Sequence, residues 1–195
     1  MKIIFATYNQ NKIIEINNLV SNPYSIWSLN DINCNEEIEE TGGTLEANAR
    51  IKADFVRYKY GLNCFSDDSG LEIDALNGAP GVLSARYSGP EKDNEANIFK
   101  IWNELDGNPN TKARFRSVFF IHLNNKKYCV EGKVDGKIIF EKRGTGGFGY
   151  DPIFIPKGYN KTFAELGNKE KNKISHRAQA TKHFLRILND NIKQI

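Results

Sequence analysis

Residues 62–76, Leu62-Asn63-Cys64-Phe65-Ser66-Asp67-Asp68-Ser69-Gly70-Leu71-Glu72-Ile73-Asp74-Ala75-Leu76, place two adjacent aspartates between two apolar runs. Residues 62–65 predict a short strand. Residues 71–76 alternate with period two and predict another. Two carboxylates held side by side repel each other and are costly to desolvate. They are tolerated when solvated, when hydrogen-bonded, or when a cation neutralises them. A hard cation such as Mg²⁺ is held by a few carboxylate oxygens together with waters and substrate phosphates. A solvated turn with Ser and Gly as turn formers accounts for the same residues. The stretch alone leaves both readings open.

Around it, strands and helices are interspersed, which predicts an α/β or α+β chain with a mixed sheet flanked by helices. Residues 2–6 form a first core strand. Its four apolar residues after Lys2 fall short of the ~7–15 of a signal peptide. A polar turn follows, then an amphipathic segment with Ile13, Ile16, Leu19 and Val20 on one face. A helix is predicted over 44–60, with Thr44 as N-cap and Gly61 as stop. Its core face is Leu45, Ala49, Ala53, Val56 and Tyr60. Pro90 is expected to open a third helix ending near Leu105, with Gly107 beyond it. Residues 113–123 predict a long strand, turning at Asn124-Asn125 into 127–131, with 133–140 continuing the β region. A last helix is expected from about Ser175 to Asn191, burying Ala178, Phe184, Leu185, Leu188 and Ile192.

The 195 residues suit a single domain spanning 1–195. Apolar residues make up 39% and charged residues 26%, as in a soluble globular chain. No stretch approaches the ~20 apolar residues of a membrane span. A net charge of +3 without a basic stripe does not call for nucleic acid. Cys34, Cys64 and Cys129 lie far apart, which predicts a reducing, cytoplasmic setting rather than a disulfide framework or a zinc knuckle.

Four further segments carry polar chemistry. Thr7, Asn9, Asn11 and Lys12 sit where a strand enters a helix, and the first turn of a helix offers unpaired N–H groups to phosphate. Capping alone needs one such residue. Gly144, Gly146 and Gly149 have the G-x-G-x-x-G spacing, yet Tyr150-Asp151-Pro152 and an apolar run follow instead of a helix, so a dinucleotide fingerprint is rejected. No Gly-Lys-Ser/Thr closes a Walker A loop either. What remains is a flexible loop whose Phe148, Tyr150 and Asp151 suit a base and ribose, or whose aromatics pack on the core. Ser175-His176-Arg177 places two cationic residues in a first helical turn, which the dipole disfavours unless an anion or a hydrogen-bonding heterocycle sits there. His176 and His183 lack zinc spacing. Glu39-Glu40-Thr41-Gly42-Gly43 adds carboxylates beside tight-turn glycines. Lys52, read alone, is a surface lysine, and Lys169 to Lys173 a solvated face.

Together these segments describe a nucleoside triphosphate site, and here the chain resembles the inosine/xanthosine triphosphate pyrophosphatase family in its bacterial form. The resemblance rests on Thr7-x-Asn9-x-x-Lys12, Glu39-Glu40-Thr41-Gly42, Asp67-Asp68-Ser69-Gly70-Leu71, Gly78-Ala79-Pro80-Gly81-Val82-x-Ser84-Ala85-Arg86-Tyr87-Ser88-Gly89, the segment Gly144 to Pro152, and Ser175-His176-Arg177, all in family order. It implies a two-lobed α/β fold with a long mixed sheet and the site in the cleft between lobes. It implies a homodimer that hydrolyses ITP, dITP and XTP to the monophosphate and pyrophosphate. By position, Glu40 and Asp68 would bind Mg²⁺, and Asp68 would accept a proton. Thr7, Tyr8, Asn9, Gln10, Asn11, Lys12, Lys52, Ser69, Phe148, Gly149, Tyr150, Asp151, Lys171, His176 and Arg177 would contact substrate. Ser66 departs from the small apolar residue or Thr common in the family. Glu72 adds a carboxylate whose direction depends on whether the strand is unbroken. Rival readings are a pyrophosphatase for modified pyrimidine triphosphates and a non-catalytic nucleotide- or RNA-binding protein.

Overall fold

The computed structural model describes residues 1–192, with the side chain of Ile192 outside what is described. Six strands lie in one mixed sheet, in the order β2-β1-β3-β4-β5-β6. They are β1 (Lys2–Phe5), β2 (Ser25–Trp27), β3 (Cys64–Ile73), β4 (Lys112–Leu123), β5 (Lys126–Ile138) and β6 (Phe154–Pro156). The helices are α1 (Gln10–Asn17), α2 (Leu45–Tyr60), α3 (Asn94–Leu105), α4 (Phe163–Ile174) and α5 (His176–Ile192). The chain divides into two compact units. One comprises residues 1–68, 117–132 and 176 onward; the other comprises 69–116 and 133–175.

In the first unit β1 pairs in parallel with both β2 and β3. Its apolar run is continuous because both faces are covered, as in parallel sheets generally. Ile3, Phe5 and Phe65 face Ile16 of α1 and Phe184 of α5. Ile4, Ala6 and Cys64 face Val56 of α2. Phe65 stacks on Phe5 and on Phe184, with ring centroids 4.4 Å apart in each pair. Alternation along the Cys64–Asp68 part of β3 thus assigns odd residues to α5 and even residues to α2. Ser66 follows this rule, since its hydroxyl donates to the Ala49 carbonyl of α2. That bond accounts for the polar residue at this place.

The second unit is built on Leu71, Ile73, Ile98, Ile101, Phe115, Phe154 and Phe163. Here β5 and β6 run antiparallel. Thr162 and Glu165 form a reciprocal capping box that starts α4.

Several expectations are corrected. Residues 62–65 and 71–76 are not two strands: one ten-residue strand runs from Cys64 to Ile73 straight through the aspartates, and a short 3-10 turn follows at Asp74–Leu76. Residues 127–131 and 133–140 likewise merge into β5. Pro90 does not open α3. Asp93 does, its carboxylate accepting from the N–H groups of Glu95 and Ala96 at 2.8 and 3.2 Å. The Lys-rich face over 169–173 belongs to α4, which sequence periodicity missed because Gly167 interrupts the helix at φ 70°. The prediction for α2 holds: Thr44 caps it by accepting from Ala47 N–H, and Gly61 ends it at φ 69°.

Candidate active site

The two aspartates part at the backbone. Asp67, an odd residue, turns toward α5. Asp68 turns toward α2 and meets Lys52, whose Nζ lies 3.0 Å from Asp68 Oδ1. The same ammonium also pairs with Glu40. Lys52 is therefore no surface lysine; it is 8% exposed, in the middle of α2. Glu40 is brought there by a loop pinned at Gly42, whose N–H donates to Asn48 Oδ1 of α2 at 2.8 Å.

Burial pushes the Asp68 carboxyl pKa up, against the opposing charges of Lys52 and Lys12. Burial also works against the charged form of Lys52, but Asp68 and Glu40 together outweigh it and its pKa rises. Asp68 Oδ2 is buried with no hydrogen-bond partner. A buried carboxylate oxygen left bare costs roughly 1–3 kcal/mol or more.

On the other face Asp67 is 1% exposed. Its Oδ1 accepts from Ser117 Oγ at 2.7 Å, and its Oδ2 from Arg177 Nε at 2.7 Å. Lys12 Nζ donates to the Asp67 carbonyl at 3.2 Å and lies 3.5 Å from Oδ2. Arg177, itself 1% exposed, also pairs with Glu15 of α1. Burial opposes its charge, but Asp67 and Glu15 prevail and hold it firmly cationic. Burial pushes the Lys12 ammonium down, with Asp67 pulling it back.

Asn9 caps α1, its side chain accepting from Lys12 N–H at 3.2 Å. Asn9, Gln10 and Asn11 are exposed beside that helix start, and Thr7 is half-buried. The Tyr8 hydroxyl lies 2.9 Å from the carbonyls of Cys34 and Glu36, so this tyrosine is tied to the following loop. The start of α5 is set by Gly132 of β5. A Cβ there would fall 2.0 Å from the His176 carbonyl, so only glycine lets the helix come this close. His176 is 4% exposed. The unit thus gathers three cations (Lys12, Lys52, Arg177) and four carboxylates (Glu15, Glu40, Asp67, Asp68).

In the second unit Asp151 and Lys171 are each 2% exposed and form an ion pair of 2.6 Å. Asp151 Oδ2 also accepts from Phe148 N–H at 2.8 Å. The backbone at Gly147 has φ 73°, and a Cβ there would overlap that same oxygen at 1.9 Å. Lys171 Nζ sits 5.0 Å from the half-buried Phe148 ring. Tyr150 is only 4% exposed, and its hydroxyl donates to the Ser84 carbonyl at 2.8 Å, so it packs inward. The glycine-rich segment is held by many contacts, among them Arg143 to Glu165 at 2.9 Å and Thr162 Oγ1 to the Arg143 carbonyl at 2.7 Å. Ser69 is half-buried on β3. Glu72 is engaged by Arg116 at 2.8 Å and Arg114 at 3.6 Å.

Sequence reasoning missed Glu15 and Ser117. Glu15 stands one helical turn from Lys12. Ser117 is a polar residue at a core-facing place in the alternation Ala113, Phe115, Ser117, Phe119, and that was the available signal.

Among the described residues no three His, Cys, Asp or Glu side chains converge as a ready metal cluster. Mg²⁺ does not require one, since it takes one or two carboxylates plus water and phosphate oxygens. The bare oxygen of Asp68, Glu40 beside it and the excess of one carboxylate over the cations fit such an ion. Among the described residues no helix is long and apolar enough to cross a membrane.

Residues 3–187 match the model of the Ham1 family. The dITP/XTP pyrophosphatase of Christiangramia forsetii is 51% identical over 188 residues, 96% of this chain and 99% of that one. The dITP/XTP pyrophosphatase of Bacillus subtilis is 48% identical over 189 residues, 95% and 96% of the two chains. The structure of the Staphylococcus aureus Ham1 protein superposes with a TM-score of 0.90 at 36% identity, covering 98% of this chain and 100% of that one.

Proposed function

Because the chain belongs to the Ham1 family, we propose that it is a nucleoside triphosphate pyrophosphatase acting on the non-standard purine nucleotides ITP, dITP and XTP. Water adds to the α-phosphorus, the α–β anhydride bond breaks, and monophosphate and pyrophosphate leave. The observation that carries this reading is the buried Asp68 with one oxygen on Lys52 and the other bare, in the same unit as the phosphate-type helix start at Asn9.

Asp68 takes the proton of the attacking water. A carboxyl whose pKa is raised by burial is a better base than an ordinary one, and the Lys52 ammonium beside it favours its ionised form. Glu40 and Asp68 would hold Mg²⁺, which when bound neutralises phosphate charge and polarises the anhydride. Lys12, Lys52 and the α1 start, with Thr7, Tyr8, Asn9, Gln10 and Asn11, bind the phosphates. Ser69 and the segment of Phe148, Gly149, Tyr150 and Asp151 serve the nucleoside. Phe148 offers a face to the base, and Asp151 and Lys171 hold its backbone in place. Tyr150 contributes by shaping that segment from within.

His176 and Arg177, with backbone N–H groups, supply donors for the purine 6-keto oxygen. ATP presents a donor there, and sites built on such a bond reject analogues lacking it by ~10⁴–10⁵. The homologues named dITP/XTP pyrophosphatase support the substrate class. The enzyme works in the cytoplasm as a homodimer.

Pyrophosphate release from ITP, dITP, XTP, GTP, ATP and dUTP, measured with Mg²⁺, tests the reading. The 6-keto purines other than GTP should lead by orders of magnitude. Failure to cleave any of the first three would end it, and preference for dUTP would transfer the chain to the pyrimidine rival. Asp68→Asn should lower kcat ~10²–10⁴-fold; a wild-type rate would remove Asp68 as base.

A further inference from the structure

We propose that Asp67 is a positioning residue that sets Lys12 and Arg177 for the substrate, and that it is not a metal ligand. The inference rests on the reading of Lys12 and Arg177 as substrate contacts. Asp67 and Asp68 are neighbours in sequence and functional strangers in space. The pleat of β3 sends Asp68 to Lys52 and Glu40 on the α2 side, and Asp67 to α1, α5 and β4 on the opposite side.

Every Asp67 oxygen has a donor. Oδ1 holds Ser117 at 2.7 Å, Oδ2 holds Arg177 at 2.7 Å, and the main-chain carbonyl holds Lys12 at 3.2 Å. Lys12 also lies 3.5 Å from Oδ2, so one carboxylate fixes the ammonium and the guanidinium relative to each other. Ser117, on β4, fixes the carboxylate in turn. Glu15 grips the far side of Arg177. Its carboxylate oxygens are taken up by Ser117 and Arg177 on the opposite face of the strand from Asp68, away from an ion held by Asp68 and Glu40.

Losing this support should loosen substrate binding without disabling the base. Outer-shell partners of functional groups typically contribute ~10–100-fold. Asp67→Asn in the full chain is expected to raise KM for ITP by about that factor, with kcat within about threefold of wild type. Mn²⁺ affinity of the free chain, measured by calorimetry, should stay within about twofold of wild type. A cycle with Lys12→Met should be non-additive in KM by about fivefold or more.

Ser117→Ala, which leaves all charges in place, guards against a folding defect and should show a smaller rise in KM. A tenfold loss of Mn²⁺ affinity in Asp67→Asn would make it a ligand and overturn the proposal. So would a fall in kcat at unchanged KM, or an additive cycle. If Lys12→Met and Arg177→Lys leave KM untouched while wild type cleaves ITP, the substrate-contact reading itself has failed. If those two variants raise KM and Asp67→Asn does not, only the positioning role has.

Discussion

Lys52→Met removes a buried cation from between two carboxylates and keeps most of the apolar stem. The Lys52 and Asp68 side chains are 10% and 9% exposed and their charges lie 3.0 Å apart. At that distance, with an effective dielectric of about 20, their attraction is of order 5 kcal/mol. Part is offset by the desolvation that Lys52 no longer suffers. Removing one partner of a buried pair typically costs ~3–5 kcal/mol. Glu40, with 26% of its side chain exposed, adds less than Asp68. A loss of about 3 kcal/mol at pH 8 is expected, or a fall in Tm of about 6–12 °C for a chain of this size.

The sign with pH follows from Asp68. Its folded pKa is already raised, and without Lys52 it rises further. A carboxyl raised in the folded state favours folding fully below its unfolded pKa, and that help fades as pH rises through the folded value. The gap between wild type and variant therefore narrows toward pH 5 and widens toward pH 8. Lys52 does not titrate in that window, because its folded pKa is raised above the ordinary lysine value. Urea unfolding of both proteins at pH 5, 6.5 and 8 measures the gap. A difference below about 1 kcal/mol and the same at all three would put Lys52 with solvent-screened surface pairs and refute the argument.

Other outcomes follow from the same geometry. Gly132→Ala forces a methyl against the His176 carbonyl and should destabilise by ~1–3 kcal/mol, shifting α5 and raising KM for ITP; a neutral melt would mean the approach of α5 relaxes freely. Lys171→Met strands the buried Asp151 and should cost ~3–5 kcal/mol by urea unfolding; a loss below about 1 kcal/mol would class the pair with solvent-screened ones. Metal affinity should weaken as pH falls through the raised pKa of Asp68, with proton release on binding; calorimetry across a pH series in two buffers of different ionisation enthalpy detects it, and a heat that stays buffer-independent throughout counts against it.

Local signals read well where local physics decides. Thr44 and Gly61 bracket α2 because a cap and a left-handed stop act within a few residues. The aspartate stretch was misread as a junction between strands because what makes it a buried strand comes from far away. Lys52, Ser117 and Arg177 lie 16, 50 and 110 residues from their carboxylate partners. No window around Asp67 contains them. α4 is hidden by Gly167, and a glycine-rich segment does not reveal that Tyr150 is buried while Phe148 is half-buried. Lys12, Lys52, Arg177, Glu40, Asp67 and Asp68 are all singled out in the sequence, but which cation meets which carboxylate, and the part of Glu15, are not.

The interleaved chain path sets a schedule for biosynthesis. The first unit takes residues 1–68, 117–132 and 176 onward, so its charged cluster draws on Lys12, Glu15 and Arg177. While a ribosome makes the middle of the chain, Asp67 and Glu15 exist without the guanidinium that compensates them. α5, synthesised after the other segments of the first unit, delivers Arg177 together with Phe184, which completes the stack on Phe65. Contacts of such long sequence separation slow folding. Nascent chains arrested before α5 should accordingly remain protease-sensitive in β1 and β3, and resistance should arrive with Arg177 and Phe184 in one step.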